Sequence, residues 1–265
     1  MNKTELLNKL ARDGEERTLL ARTMDRIEQA DSRNVPVCTA FLSPHEAEAV
    51  ARLIAAVGHP RHLFYGGFEG AERRVCAFLP DWMEEGMDAF GEEGPIVALR
   101  ASWHAGDKLT HRDILGALMG MGVTREKVGD LLVSDSSCDI LLLREVSAFL
   151  LQSMESAGRV KLHLTSLPLR EVTPPQVQVK TIRDTVAALR LDAVAASGFS
   201  ISRSKAADLI AAGRVNLNWQ ECQKGDRTVE AGDVISCRGL GKCVVKEVGG
   251  RSKKGRIGLV IERYL

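Results

Sequence analysis

The sequence predicts an α+β fold made of three units: an N-terminal α/β unit at residues 1–80, a middle unit at 81–172 and a C-terminal unit at 180–265. Helical and strand-like hydrophobic periodicities alternate along the chain. A Pro-Pro segment, Val172 to Val179, cannot continue a helix and should form an extended linker. Net charge also changes across the chain, from −6 over residues 1–179 to +7 over residues 180–265. A basic C-terminal third on an acidic body favours a polyanionic partner for that third.

The N-terminal unit should pack helices against a few short strands. Ser43 and Glu46 have the spacing of a capping box, and Pro44 occupies the first helical position. The elements expected in this unit are a helical stretch over 1–32, a buried strand over 37–42, a helix after Ser43, and a hairpin with strands over 62–67 and 74–79.

The middle unit has the element order β-α-β-β-α-β. Its predicted elements are strand 96–103, helix 110–119, strand 131–134, strand 140–143, helix 145–156 and strand 160–166, after an acidic boundary loop over 81–94. This order is typical of ferredoxin-like and RNA-recognition-motif folds. Domains of that kind stack RNA bases on exposed aromatic residues of their central strands. Because Trp103 is the only aromatic residue on these strands, we expect them to serve packing, while contacts to an RNA backbone or to protein stay open.

The C-terminal unit opens with helix, short link, helix and strand over Leu189 to Asn218. Gly198 is expected to end the first helix in a left-handed conformation, and Gly213 to end the second. Ser202 is placed to cap the second helix, whose buried face carries apolar residues at helical spacing. A strand over 215–218 should follow, and further strands are expected over 234–238, 243–248 and 257–261.

Cations surround this helical pair. Arg203 and Lys205 fall on the first turn of the second helix, beside free amides and the positive end of the helix dipole, an arrangement that suits a phosphate. Arg190 and Arg214 flank the same segment. Spacing alone leaves open the alternative of a small helical hairpin with ordinary surface charge.

The stretches RLDAV, SISRSKAADLIAAGRVNLN and VEAGDVISCRG resemble the S4 RNA-binding domain. In that family the second helix and its Ser-Arg-Ser start face RNA. The resemblance therefore implies RNA contact for Arg203, Ser204 and Lys205, with Arg190 and Arg214 as further candidates.

One subgroup of that family is more similar still, the YlmH-like proteins of bacteria. Most S4 domains have Gly after the strand's Asn, whereas this chain has Asn218-Trp219, and its C-terminal part carries the stretch GRSKKGRI. The resemblance implies an RNA-binding type of fold for the middle unit. It also implies association with large ribosomal subunits that carry stranded peptidyl-tRNA, in the rescue of stalled translation, and a gene neighbourhood linked to cell division.

Four cations lie on the Gly-rich loop between the last two predicted strands: Arg251, Lys253, Lys254 and Arg256. Such a loop can follow a phosphate backbone, and we expect it to contact RNA. The alternative is a solvated hairpin tip.

We expect no cofactor, no metal site and no catalytic residues. Six scattered cysteines form no C-x-x-C pair, and no nucleotide-binding, zinc-protease or serine-hydrolase motif occurs. The leading hypothesis is a non-enzymatic RNA-binding factor. One alternative is an RNA-modifying enzyme, of the pseudouridine-synthase kind, with its site in 1–179. Another is an adaptor between the ribosome and the cell-division machinery.

The expected partners are rRNA and tRNA, the large ribosomal subunit and a protein that meets the acidic N-terminal body, with no DNA and no membrane. No run approaches the ~20 apolar residues of a membrane span. The first 20 residues are too charged for a signal peptide. We therefore expect a cytoplasmic protein.

Overall fold

The structure is a computed structural model that describes residues 2–83, 94–174, 178–251 and 255–264. It divides into two compact units, Met1–Pro175 and Gln176–Leu265, with a boundary inside the predicted Pro-Pro linker. The predicted loop 81–94 lies outside the described ranges except at its ends. The α+β fold class is confirmed; the division of the first unit into 1–80 and 81–172 stays a prediction.

The first 80 residues form three helices and a small antiparallel sheet of order β1-β3-β2. The elements are α1 Lys3–Leu10, α2 Gly14–Arg33, β1 Val37–Cys38, α3 Pro44–Ala56, β2 His62–Tyr65 and β3 Val75–Phe78. The predicted capping box starts α3. The Ser43 amide donates to the Glu46 carboxylate at 2.6 Å, and the Glu46 amide donates to the Ser43 hydroxyl at 3.3 Å. These bonds satisfy two amides that a helix start leaves without a partner.

The strand predicted over 37–42 is shorter than expected, because Thr39 interrupts its ladder. β1 ends at Cys38, and the Cys76 amide donates to the Thr39 side-chain hydroxyl at 2.9 Å. The Phe41 amide donates instead to the carbonyl of Glu126 at 2.8 Å, and Leu42 returns only as an isolated bridge. Hydrophobic length alone does not reveal where a strand leaves its ladder.

The next part of the first unit has the predicted element order. Its elements are β4 Ile96–Ser102, α4 His111–Gly120, β5 Val128–Val133, β6 Ser137–Leu143, α5 Arg144–Ser153, a short ladder of β7 Ser156–Ala157 with β8 Val160–Lys161, and β9 His163–Leu167. The four long strands pair antiparallel in the order β5-β6-β4-β9. The first and third strands of the motif are therefore central, as in a ferredoxin-like fold.

Both faces of this sheet are packed. Ile114 and Leu118 of α4 and Leu150 of α5 pack on one face. On the other, Phe41 lies so close that a Cβ at Gly129 would come within 2.7 Å of its ring. Trp103, the aromatic residue considered for base stacking, is only 8% exposed and belongs to the helix-side core. Its side chain therefore serves packing.

The second unit is a six-stranded antiparallel sheet with two helices packed on it. Its elements are β10 Val179–Val186, α6 Leu191–Phe199, α7 Arg203–Ala211, β11 Val215–Leu217, β12 Gln220–Glu221, β13 Val234–Cys237, β14 Gly241–Arg251 and β15 Ile257–Tyr264. The strand order is β10-β15-β14-β13-β11-β12. Apolar residues of α6 and α7 share one core with alternate residues of the strands. Burying them is the main stabilising contribution to this unit.

One local prediction for this unit is wrong, and one strand was not predicted. Gly198 does not end α6 in a left-handed conformation, since Ser200 does so with φ 55°. Gly198 lies inside the helix, where a Cβ would approach the Cys243 Sγ to 2.6 Å, so glycine is needed for close packing on the sheet. In addition, β10 was not expected as a strand, and it pairs along its whole length with β15.

Among the described residues no helix combines the length and the apolar character that crossing a bilayer requires.

Candidate nucleic-acid interface

The start of α7 is built as predicted. The Ser202 hydroxyl accepts the Lys205 amide at 3.2 Å and so caps the helix. Arg203, Ser204 and Lys205 follow on the first turn, all exposed. Gly213, with φ 67°, ends the helix region as the sequence indicates. The residues with the strongest predicted RNA contact therefore lie on an open helix N-terminus.

A carboxylate joins two of the predicted cations. Asp192, on the first turn of α6, is 6% exposed. Arg190 donates to it from Nε at 3.2 Å and from Nη2 at 2.9 Å. Arg203 donates from Nη2 to both carboxylate oxygens at 3.1 Å. We call Arg190, Asp192 and Arg203 the arginine pair cluster.

The pKa of Asp192 reflects its interactions with the two arginines. Burial by itself raises the pKa of the carboxyl, but the hydrogen bonds and charges of Arg190 and Arg203 outweigh it, so the pKa lies below its usual value. The bonds to Asp192 in turn raise the pKa of Arg190. Asp192 is therefore ionised at neutral pH, and Arg190 is held in its charged form.

Main-chain hydrogen bonds hold the carboxylate in place. The amide of Leu191 donates to the carbonyl of Arg227 at 2.8 Å, and the amide of Asp192 donates to that of Gly225 at 2.9 Å. A Cβ at Gly225 would lie 3.3 Å from the Asp192 Cβ, so this loop packs tightly against the start of α6. Asp192 thus fixes both guanidinium groups relative to the backbone.

The cluster carries more positive than negative charge. One carboxylate neutralises one of two guanidinium groups, and the side chains of Arg190 and Arg203 stay 41% and 57% exposed. Guanidinium groups bind phosphate through several N–H donors at once. Together with the exposed Lys205 and the start of α7, this surface is suited to an anionic backbone.

The remaining predicted cations lie elsewhere on the second unit. Arg214 is exposed and donates from Nη2 to the carbonyl of Arg238 at 2.9 Å. Arg251 is exposed at the end of β14. Arg256 donates to the hydroxyl of Thr185 at 2.8 Å and to its carbonyl, which ties the last hairpin to β10. Lys253 and Lys254 lie outside the described residues. The structure therefore unites Arg190 and Arg203 through one acceptor, and their assignment to RNA contact, like that of the others, stays a prediction.

Sequence reasoning missed Asp192 as the organiser of this surface. The sequence did contain a signal for the pairing with Arg190, because Asp192 follows Arg190 by two residues at the start of a helix. The partner eleven residues away, Arg203, became apparent only from the packing of α7 on α6.

In the first unit we considered a cleft, a buried thiol and possible metal ligands as candidate sites. A cleft of about 880 Å³ beside β4 has Arg144 and Arg170 as its charged lining residues, and its described lining contains no Asp, Glu, His or Cys. Burial raises the pKa of the Cys138 thiol to about 12, so this thiol is protonated at neutral pH. Within the described ranges no group of His, Cys, Asp and Glu is arranged to hold a metal ion.

Comparisons with known proteins agree with these observations. Residues 189–235 match the family model "S4 domain", residues 15–80 match "YlmH, N-terminal", and residues 106–171 match "Putative RNA-binding domain in YlmH". A relative from Bacillus subtilis (strain 168), "Ribosome-associated protein quality control protein P2", is 31% identical over 225 residues, which cover 85% of this chain and 86% of the relative.

The chain belongs to the YlmH family. A solved structure, "Cell division protein ylmH from Streptococcus pneumoniae", is similar with a TM-score of 0.50 at 23% identity, and the match covers 61% of this chain and 96% of that one. At this identity the similarity concerns the fold. The resemblance to YlmH-like proteins inferred from Asn218-Trp219 and the stretch GRSKKGRI is thus confirmed, and the arginine pair cluster lies inside the matched S4 domain.

Proposed function

We propose that this YlmH-family protein is a non-enzymatic RNA-binding factor. It docks through its S4 domain on structured RNA of the large ribosomal subunit, where it contacts rRNA and tRNA during the rescue of stalled translation. The arginine pair cluster is the observation that carries this proposal, because it presents surplus positive charge in a fixed position beside a helix N-terminus.

The chemistry of the cluster favours backbone recognition. Contacts to phosphate position a protein on RNA, and they require cations more than they require groups that read base edges. The S4 family match supports RNA as the partner. The name of the Bacillus subtilis relative, a ribosome-associated protein, supports the ribosome as the place where this RNA is bound.

Sedimentation of cell lysates on sucrose gradients tests the proposal. Wild-type protein should sediment with large ribosomal subunits and should be enriched there when peptidyl-tRNA is trapped on them. Arg203→Glu with Lys205→Glu should reduce this association about 100-fold or more, because two attractive contacts become repulsive. Wild-type protein found only at the top of the gradient in every state would contradict the proposal, as would turnover of RNA by the purified protein.

Two controls separate binding from folding. Arg22→Glu with Arg26→Glu makes the same change in net charge on exposed positions of α2 in the first unit, and it should leave association unchanged. Lys205→Glu alone reverses an exposed charge without touching Asp192, and it should weaken association while the circular dichroism spectrum stays that of the wild type.

A further inference from the structure

The turn between β11 and β12 has a backbone conformation that does not suit its second residue. Leu217 pairs with Gln220, so Asn218 and Trp219 form a two-residue hairpin turn. Both have positive φ, 49° for Asn218 and 63° for Trp219. A turn of this type, I′, favours Asn followed by Gly, because glycine alone takes the left-handed conformation without a steric cost.

Asn218 has a structural role in this turn. Its Nδ2 donates to the Asp233 carboxylate at 2.8 Å, and its Oδ1 accepts the Val234 amide at 2.9 Å. These bonds tie the hairpin to β13 and fix the turn. Trp219 is not needed for that purpose, and a glycine in its place would relieve the backbone.

Trp219 is not among the residues that form the core of its unit or pack against that core. The residue is 40% exposed, and among the described residues it takes part in no hydrogen bond, ion pair or ring contact. The two other tryptophans differ from it. Trp103 is buried in a core, where its indole N–H has no hydrogen-bond partner among the described residues, and Trp82 donates its indole N–H to the Asn34 carbonyl at 3.0 Å. A large aromatic residue is thus held in a strained backbone conformation with its ring exposed, which points to a role in binding.

The surroundings of Trp219 favour a nucleobase over an apolar protein surface. Its neighbours Asn218, Gln220 and Glu221 are polar. A protein-binding anchor typically lies in a well-packed pocket whose neighbouring contacts exclude water. A single aromatic residue among polar neighbours, on a domain that also carries a cationic surface, matches the way proteins stack unpaired bases.

The hairpin also lies within reach of the arginine pair cluster. Gly225, whose carbonyl accepts the Asp192 amide, is six residues after Trp219. Six residues span at most about 22 Å, so Trp219 lies no farther than that from the loop that packs on Asp192, a separation that a short RNA can bridge. One RNA can therefore meet both.

We propose that Trp219 stacks on an unpaired base of the bound RNA while the arginine pair cluster holds the phosphate backbone. This inference rests on the proposed function. It adds to that function a preference for RNA with an unpaired base beside the docked backbone, since a base must leave its helix to be stacked on a side chain.

The test uses the full-length protein, an RNA stem–loop with an unpaired loop, and the fully paired duplex of the same stem. Trp219→Gly should weaken binding of the stem–loop about tenfold. The same variant should raise the thermal unfolding midpoint or leave it unchanged, because glycine suits the turn. Trp219→Phe should keep most of the affinity. Trp82→Phe, the matched control in the first unit, should bind as the wild type does.

Tryptophan fluorescence gives an independent readout. The stem–loop should quench the emission of wild-type protein and of Trp82→Phe, and the duplex should quench it much less. The quenching should disappear in Trp219→Phe.

The outcomes separate this inference from the proposed function. If wild-type protein binds neither RNA nor large subunits, the proposed function fails and the inference with it. If RNA binds but Trp219→Gly has wild-type affinity and Trp219→Phe is still quenched, the inference fails while the function stands. Normal binding of the stem–loop by Trp219→Gly with a loss of ribosome association would assign Trp219 to a protein contact and would also overturn the inference.

Discussion

Two aspartates, one in each unit, hold arginines in a similar way, and the comparison separates a structural ion pair from a binding surface. Asp139 of β6 is 5% exposed and accepts Nε and Nη2 of Arg100 at 2.7 and 2.8 Å. Asp192 of α6 is 6% exposed and accepts bonds from both Arg190 and Arg203. The aspartates are equally buried, but the number of cations differs.

The two sites differ in net charge and therefore in their attraction for phosphate. Arg100 and Asp139 face each other across adjacent strands and form a neutral pair. The arginine pair cluster keeps a charge of about one unit, and its arginines remain available to solvent. A neutral cross-strand pair has little attraction for a distant phosphate, whereas a surplus charge at a helix start does. The difference predicts that replacing the arginine of the neutral pair lowers stability and leaves RNA affinity unchanged. Replacing an arginine of the arginine pair cluster should lower RNA affinity and change stability little.

The largest expected effect on stability is at Asp139. Arg100→Gln leaves this buried carboxylate without its charged partner, which should destabilise the first unit by about 1 to 3 kcal/mol, a cost moderated by water at the half-exposed site. Hydrogen exchange of β4 and β6 followed by mass spectrometry measures the loss. Arg100→Gln combined with Asp139→Asn should recover part of it. RNA affinity should stay that of the wild type, and a clear fall would instead assign RNA contact to this sheet.

The next effect concerns RNA affinity at the arginine pair cluster. Arg203→Gln should weaken RNA binding about tenfold, because a phosphate contact is lost. Stability should change little, since Asp192 keeps Arg190. In filter-binding titrations the slope of log K against log salt should become shallower by about 0.7 to 0.9. An unchanged slope would show that Arg203 does not neutralise a phosphate.

The smallest effect is a dependence of stability on acid. Because the pKa of Asp192 is lower in the folded state, its carboxylate contributes stability above its unfolded pKa of about 3.9, and this contribution is lost as the pH falls through the folded pKa. Asp192→Asn should therefore lower the unfolding midpoint at pH 6 and should differ less from the wild type near pH 3. Thermal unfolding at the two pH values measures this. If the variant and the wild type differed equally at both pH values, the asparagine side chain would destabilise the protein through packing and not through the loss of charge.

Much of the fold follows from local sequence signals. Ser43 and Glu46 form the predicted capping box, and Ser202 caps α7, because these interactions join residues three apart that need no tertiary partner. The β-α-β-β-α-β order likewise follows from successive hydrophobic patterns. The position of Arg203 and Lys205 on an exposed first helical turn is also determined locally.

Other features needed contacts that are remote in sequence. β10 has polar and exposed residues and becomes a strand by pairing with β15, some 80 residues later. Glycine is required at position 198 because the Cys243 side chain of β14 packs against it, a contact that the helical pattern of α6 does not reveal. The end of β1 at Cys38 depends on Thr39 meeting Cys76 across the sheet.

The sequence alone thus determined the family, the element order and the basic character of the C-terminal unit, since local spacing and side-chain charge carry that information. Only the tertiary structure decided that Asp192 gathers Arg190 and Arg203 into one fixed cluster. Helix packing brings Arg203 to a carboxylate eleven residues away, and burial makes that carboxylate hold both arginines rather than water.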